Sequence, residues 1–346
     1  MNTPSPRFRP GIGNALLAAA LFGASTPLAK VLIADISPVM LAGLLYAGSG
    51  LGLGLWWIFG RQRTATTGEA ALQRRDVPWL LGAILSGGVL GPVLLMLGLQ
   101  LTPASTASLL LNLEAVFTAT MAWLAFRENV DHRVFLGMMA IVVAGAILSW
   151  DQHPEIGVPW GALAIAGACL CWAVDNNLTR AISASDPVQI AALKGAVAGA
   201  INIAIAVAMG STLPTGMRIL EAGAIGLAGY GISLVLFVLA LRRLGTARTG
   251  AYFSTAPFVG AAIALALLRE VPDAEFWIAG ALMAVGVWLH VSERHQHEHR
   301  HDEHHQHTHD FPWDGSEPHN HAHAHDELAH SHAHFPDIHH RHRHKR

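Results

Sequence analysis

Ten mostly apolar stretches follow one another along the chain, at 11–34, 38–59, 77–100, 103–126, 133–150, 157–179, 187–209, 218–241, 247–268 and 274–291. Each is close to the roughly 20 residues that a helix needs to cross a hydrocarbon layer. Within lipid a span must satisfy its own backbone amides, so helices are the fold open to such stretches. The sequence therefore predicts an all-α integral membrane protein whose first partner is the lipid bilayer. Composition agrees, with 52% hydrophobic and only 13% charged residues, where a soluble domain carries about 25% charged. An ordinary soluble enzyme and a disordered chain are both excluded. The first 292 residues hold 16 Lys+Arg and 14 Asp+Glu, and residues 293–346 hold 6 and 10. Neither balance gives the concentrated basic face that nucleic acid requires.

Lys/Arg bias sets the expected orientation. With a cytoplasmic N-terminus, the inner segments hold Arg7, Arg9, Arg61, Arg63, Arg74, Arg75, Arg127, Arg133, Arg180, Arg242, Arg243 and Arg248, and the outer loops hold Arg218 and Arg269. Both termini are thus expected in the cytoplasm, with the chain multi-pass in an inner (plasma) membrane. Met1–Pro10 has no small-residue cleavage site, so no removable signal peptide is expected. Cys169 and Cys171 share one apolar stretch and cannot build a disulfide framework.

The first five stretches resemble the last five. Lys30 precedes Ser37-Pro38-Val39 as Arg180 precedes Asp186-Pro187-Val188, and Arg127-Glu128-x-x-Asp131 matches Arg269-Glu270-x-x-Asp273. An odd number of spans per copy inverts the second copy, an arrangement typical of secondary transporters. The expected organisation is ten transmembrane helices as two inverted five-helix repeats. A cytoplasmic N-terminus at 1–10 leads into repeats at 11–150 and 157–291, and a disordered His-rich cytoplasmic tail occupies 292–346.

The chain resembles the EamA-type members of the drug/metabolite transporter superfamily. The likeness rests on Phe22-Gly23-Ala24-Ser25 and Cys171-Trp172-Ala173-Val174-Asp175-Asn176 in the helices that open each half. It also rests on Thr102-Pro103-Ala104-Ser105 and Gly245-Thr246-Ala247-Arg248 before each fourth helix, and on Arg127-Glu128 and Arg269-Glu270 after it. The resemblance covers about residues 11–291. It implies two five-helix bundles, a central cavity lined by the first four helices of each half, a peripheral fifth helix, and export or exchange of small metabolites. Two positions depart from the family pattern. Leu45 stands where members often carry a basic residue, which the second half has as Lys194. The fourth-helix proline survives as Pro257 but gives way to Glu114-Ala115 in the first half.

Four charges fall within spans: Lys30, Glu114, Asp175 and Lys194. A charge at the bilayer centre costs from about 2.5 kcal/mol upward, so each needs a reason. Asp175 and Lys194 match in depth and are expected to pair, for structure or for transport. Lys30 sits near the outer boundary, where it can snorkel. Glu114 lies mid-span without a basic neighbour in sequence. Read as one continuous helix, its stretch carries Thr118 on the face of Glu114, and Ser105, Ser108 and Asn112 nearly opposite. That marks a central helix and makes Glu114 the candidate proton carrier. Asn112, Asn176, Asn177 and Asn202 are amides that glue helices or bind a polar solute. Cys171 shares a face with Asp175 and reads as a core thiol.

The tail holds 19 of the 22 histidines. They fall in clusters at His295, His297, His299 and His301; at His304, His305, His307 and His309; at His319, His321, His323 and His325; at His330, His332 and His334; and at His339, His340, His342 and His344. Neutral imidazole suits Zn, Ni, Co and Cu, so the tail is expected to bind these metals, although the protein needs no cofactor. The leading expectation is a secondary transporter, not an enzyme, that exports a small polar metabolite by alternating access with proton coupling. A divalent transition-metal (Ni, Co, Zn) exporter fed by the tail and a non-transporting membrane-anchored metal sensor are the alternatives. A homodimer is left open.

Overall fold

The structure, a computed structural model, describes residues 10–60, 72–126, 132–150, 159–182, 185–244, 246–291, 297–299 and 319–321. The chain begins with α1 (Pro10–Leu32) and α2 (Pro38–Gly60). Next, α3 spans 77–101 and α4 (Ala104–Leu110), α5 (Leu113–Phe126) and α6 (His132–Ser149) follow. The second half opens with α7 (Trp160–Arg180) and α8 (Pro187–Ala208). It continues with α9 over 216–244, then α10 (Thr246–Phe253), α11 (Ala256–Leu268) and α12 (Ala274–Val291). Among the described residues, seven helical segments are long and apolar enough to cross a membrane. Outside these helices, His297–His299 and His319–His321 pair as short antiparallel strands. The other tail histidines lie outside the described residues.

The fourth and ninth stretches, read in the sequence as single helices, are each two. In the first half, α4 and α5 are separated at Leu111-Asn112; in the second, α10 and α11 are separated at Ser254-Thr255. The two breaks share one hydrogen-bond pattern. Asn112 N donates to Leu109 O at 3.0 Å and Ala115 N to Asn112 O at 3.2 Å. In the second half Thr255 N donates to Tyr252 O at 3.2 Å and Phe258 N to Thr255 O at 3.1 Å. Side chains hold both tightened turns. Asn112 Nδ2 donates to Leu109 O at 2.9 Å, and Thr255 Oγ1 to Tyr252 O at 2.6 Å. Pro257, in the first turn of α11, has no N–H to continue the ladder. At the same offset the first half has Glu114.

Both long third spans widen at matching places, α3 at Ile84–Leu90 and α9 at Leu227–Ile232, where the helix becomes π-helical. A π-turn leaves carbonyls without their α-helical partners and is frequent at functional sites. In α3 side chains from three other helices supply the missing donors. Tyr46 Oη and Trp172 Nε1 both donate to Gly87 O, at 2.7 and 2.9 Å, and Asn202 Nδ2 donates to Gly88 O at 3.1 Å.

Small residues bring the helices together. A Cβ on Gly195 of α8 would lie 2.6 Å from Gly50 N and 2.8 Å from Gly50 Cα of α2, so only glycine fits this crossing. The main core joins α1, α2, α3 and α7 through Leu32, Met40, Leu41, Leu45, Leu95, Met96, Leu99 and Ile165. The fifth helices, α6 and α12, pack on each other, with Gly286 against Gly137 and Ile141.

Candidate substrate site

The polar residues inside the membrane gather where α5 meets α7. Glu114 is on the first turn of α5, and Asn176 Nδ2 of α7 donates to its Oε1 at 2.8 Å. The same amide lies 3.4 Å from Thr118 Oγ1, one turn further along α5. Asn177 Nδ2 donates to Ala173 O at 2.9 Å and approaches Thr118 O at 3.4 Å, tying the two helices. Asn176 is exposed and Glu114 half-buried. An ionisable group at this depth is costly to leave against hydrocarbon, and the amide is its hydrogen-bonded partner.

Asp175 stands beside them, buried, with Lys194 of α8 as its ion-pair partner. Thr179 Oγ1 donates to its other oxygen at 3.0 Å. The carboxylate presses on the widened turn of α3, where Gly87 has no Cβ to block it. The pair joins α7 to α8 and so lies within one half rather than bridging the two.

From Tyr46 an aromatic cluster leads into the second half. The ring of Tyr46 is 5.4 Å from Tyr230 of α9, and Tyr230 is 6.0 Å from Phe22 of α1. Phe22 is 5.5 Å from Phe253 at the end of α10. All but Tyr46 are half-buried. Of these rings the sequence marks only Phe22, through the Phe22-Gly23-Ala24-Ser25 motif, and none as a site residue. Their signal is weak, because an aromatic residue in an apolar span reads as core.

Two expected site residues make contacts of another kind. Asn112 is buried and its amide is used at the α4–α5 break, with a further contact to Met283 Sδ at 3.7 Å. The break also alters the helical phase on which its placement relative to Glu114 was based. Lys30 donates to the carbonyls of Leu99 and Thr102 at the end of α3, where a cation suits a helix C-terminus. Cys169 likewise serves the break, its Sγ 3.7 Å from Leu110 O and 3.9 Å from Leu111 O. Among the described residues no group of His, Cys, Asp and Glu is arranged to hold a metal ion.

The end of the bundle away from the N-terminus is held by contacts between the halves. Glu270 accepts from Ala104 N at 2.8 Å and Ser105 N at 2.9 Å, capping α4. Arg218 bonds Asp35 at 2.5 Å, and the hydroxyls of Ser37 and Ser211 are 2.9 Å apart. Glu128, its counterpart in the first half, lies outside the described residues.

Apolar helices, two broken spans and a buried polar cluster define a multi-pass membrane protein of transporter type. The EamA-like transporter family matches the chain twice, over residues 9–150 and 159–292, and the chain belongs to that family. It is 28% identical over 293 residues to an uncharacterized transporter of Methanothermobacter thermautotrophicus, covering 79% of this chain and 84% of that one. It is 22% identical over 285 residues to the uncharacterized transporter YyaM of Bacillus subtilis, covering 78% and 90%. A solved crystal structure shares the fold with a TM-score of 0.60 at 17% identity, over 81% of this chain and 98% of that chain.

Proposed function

We propose that the chain is a proton-coupled secondary transporter that exports a small polar solute by alternating access between two inverted five-helix repeats. The observation that carries this reading is Glu114: a half-buried carboxylate within a span, placed at a helix break and hydrogen-bonded to a neutral amide. Broken helices at matching points of two halves, with polar groups beside the break, are the usual setting of a transporter's site. Asp175 with Lys194, Asn176 and Asn177 complete the pathway in this reading, while Lys30 and Asn112 have structural roles. The arginine bias supports an inner (plasma) membrane location with both termini cytoplasmic.

Replacing Glu114 with Gln keeps the shape and removes the titrating group. Reconstituted Glu114→Gln protein is expected to lose proton-driven flux at unchanged abundance. Wild-type flux with unchanged pH dependence would reject the proton role. The tail's histidines favour a second role in binding Zn, Ni, Co or Cu. Protein truncated after Glu293 is expected to keep its flux. Loss of flux for every cargo, with the protein still inserted, would move the metal-exporter reading ahead.

A further inference from the structure

We propose that the end of the bundle away from the N-terminus carries a second binding site, one that takes a primary ammonium group attached to an apolar chain. The site is separate from the polar cluster at Glu114, none of whose residues lines it.

A cavity of about 750 Å³ lies there, between the end of α3, the start of α4, the end of α6, the start of α7 and the segment 270–276 that leads into α12. Glu270, Asp273 and Glu275 are in its lining, and among the described residues no Lys, Arg or His is. Arg269, next to Glu270 in sequence, and Lys30, bonded to the Thr102 carbonyl, stay outside the lining. Both oxygens of Glu270 accept from the backbone of α4. Asp273 and Glu275 are exposed, and among the described residues neither side chain has an ion-pair partner. Their charge attracts a cation and repels a carboxylate or a phosphate.

Two hydroxyls add an independent observation. Thr102 is 8% exposed and Ser105 2%. Both line the cavity, and among the described residues neither hydroxyl has a hydrogen-bond partner. The side-chain atoms sealed without a partner are Asn202 Oδ1 and Thr249 Oγ1, so the hydroxyls of Thr102 and Ser105 keep contact with the cavity. Gly161 leaves the first of them uncovered, since a Cβ there would lie 2.2 Å from Thr102 Oγ1. Buried polar groups are nearly always hydrogen-bonded, and these two have their partner to find in the cavity. No group of His, Cys, Asp and Glu among the described residues is arranged for a metal ion. A primary ammonium brings three N–H donors and no acceptor, which suits a lining of hydroxyl and carboxylate oxygens without a basic group. Trp150 and Trp160, at the ends of α6 and α7, are 82% and 67% exposed and also line the cavity. Such rings at span ends sit at the membrane–water boundary, and an apolar chain attached to the amine can lie along them. A phosphatidylethanolamine headgroup and a free alkylamine share this chemistry.

The test uses full-length protein in phosphatidylcholine nanodiscs, titrated with hexylamine, hexyltrimethylammonium and hexanoate. Hexylamine is expected to bind at least about tenfold tighter than hexyltrimethylammonium, which has no N–H to donate, and hexanoate is expected not to bind measurably. Asp273→Asn combined with Glu275→Gln is expected to weaken hexylamine at least about tenfold. Thr102→Val is expected to weaken it about fivefold and gives a separate readout should the double variant fail to insert. Native mass spectrometry distinguishes the two sources. Phosphatidylethanolamine retained over phosphatidylcholine, and displaced by hexylamine, assigns the site to the lipid. Hexylamine binding without such retention assigns it to a free amine. Equal or tighter binding of hexyltrimethylammonium or hexanoate overturns the proposal. So does hexylamine binding that is unchanged in both variants, and so does the absence of binding by hexylamine and phosphatidylethanolamine alike, which would leave a cavity filled by water.

Discussion

Two interfaces occupy the same place in the two halves, and they differ in kind. The segment after the second break, α11, packs on the opening helix of the first half, α1. Gly23 of α1 lies against the Ala256 carbonyl, and a Cβ there would also come within 3.0 Å of Gly260 N. The segment after the first break, α5, packs on the opening helix of the second half, α7. That contact is made by Glu114, Thr118, Asn176 and Asn177, and part of it is solvent-accessible. One interface is dry and closed by glycine; the other is wet and charged. The backbone device is duplicated but the chemistry is present once. Among the described residues, the charged contact belongs to α5 and α7 and the glycine-closed one to α1 and α11.

This contrast can be broken at several points. The largest effect is expected from Lys194→Met, which leaves Asp175 buried without its partner. Stability should fall by about 3–5 kcal/mol, read as the unfolding midpoint in detergent. The double variant Lys194→Met with Asp175→Asn should recover most of that loss. Recovery of none would mean that the pair does not account for the effect. Next is Gly23→Val at the dry interface, with an expected loss of about 1–3 kcal/mol from overpacking against the α11 backbone. A variant as stable as the wild type would show that this contact is looser than the geometry implies. Smallest is Asn176→Ala at the wet interface, with an expected cost of at most about 1 kcal/mol, one exposed hydrogen bond. Its effect should appear in binding of the solute, measured alongside the same unfolding midpoint. A larger stability loss there than for Gly23→Val would reverse the assignment of the two interfaces.

Much of this was legible in the residues. Charge scarcity and span length gave the membrane fold. A mid-span acid without a sequence neighbour singled out Glu114, and matched depth brought Asp175 to Lys194. Pro257 marked the second break through its missing N–H. The first break has no such residue. Asn112 reads equally well as a cavity amide until Leu109 O is seen to accept from it. Lys30 was placed at the correct end, but its carbonyl partners are 69 and 72 residues away in sequence. The capture of Gly87 O by Tyr46 and Trp172 was invisible for the same reason, since both contacts span long separations, 41 and 85 residues.

The widened turn of α3 also fixes how many residues the segment has to contain. A π-turn holds more residues than an α-turn. Deleting one residue within Ile84–Leu90 would let the helix regularise. Everything from Gly91 to Leu101 would then keep nearly its present phase relative to Val77–Ala83, because the widened turn absorbs the residue that a regular helix would turn into about 100° of rotation. Gly98, which sits under Ile165 and 2.8 Å from the Gly161 carbonyl by its ideal Cβ, would stay in that contact, and the Gly87 carbonyl would return to the helix ladder, away from Tyr46 and Trp172. The segment ILSGGVL holds no charge. What it supplies is a pair of backbone acceptors, the carbonyls of Gly87 and Gly88, without disturbing the crossing of α3 with α7.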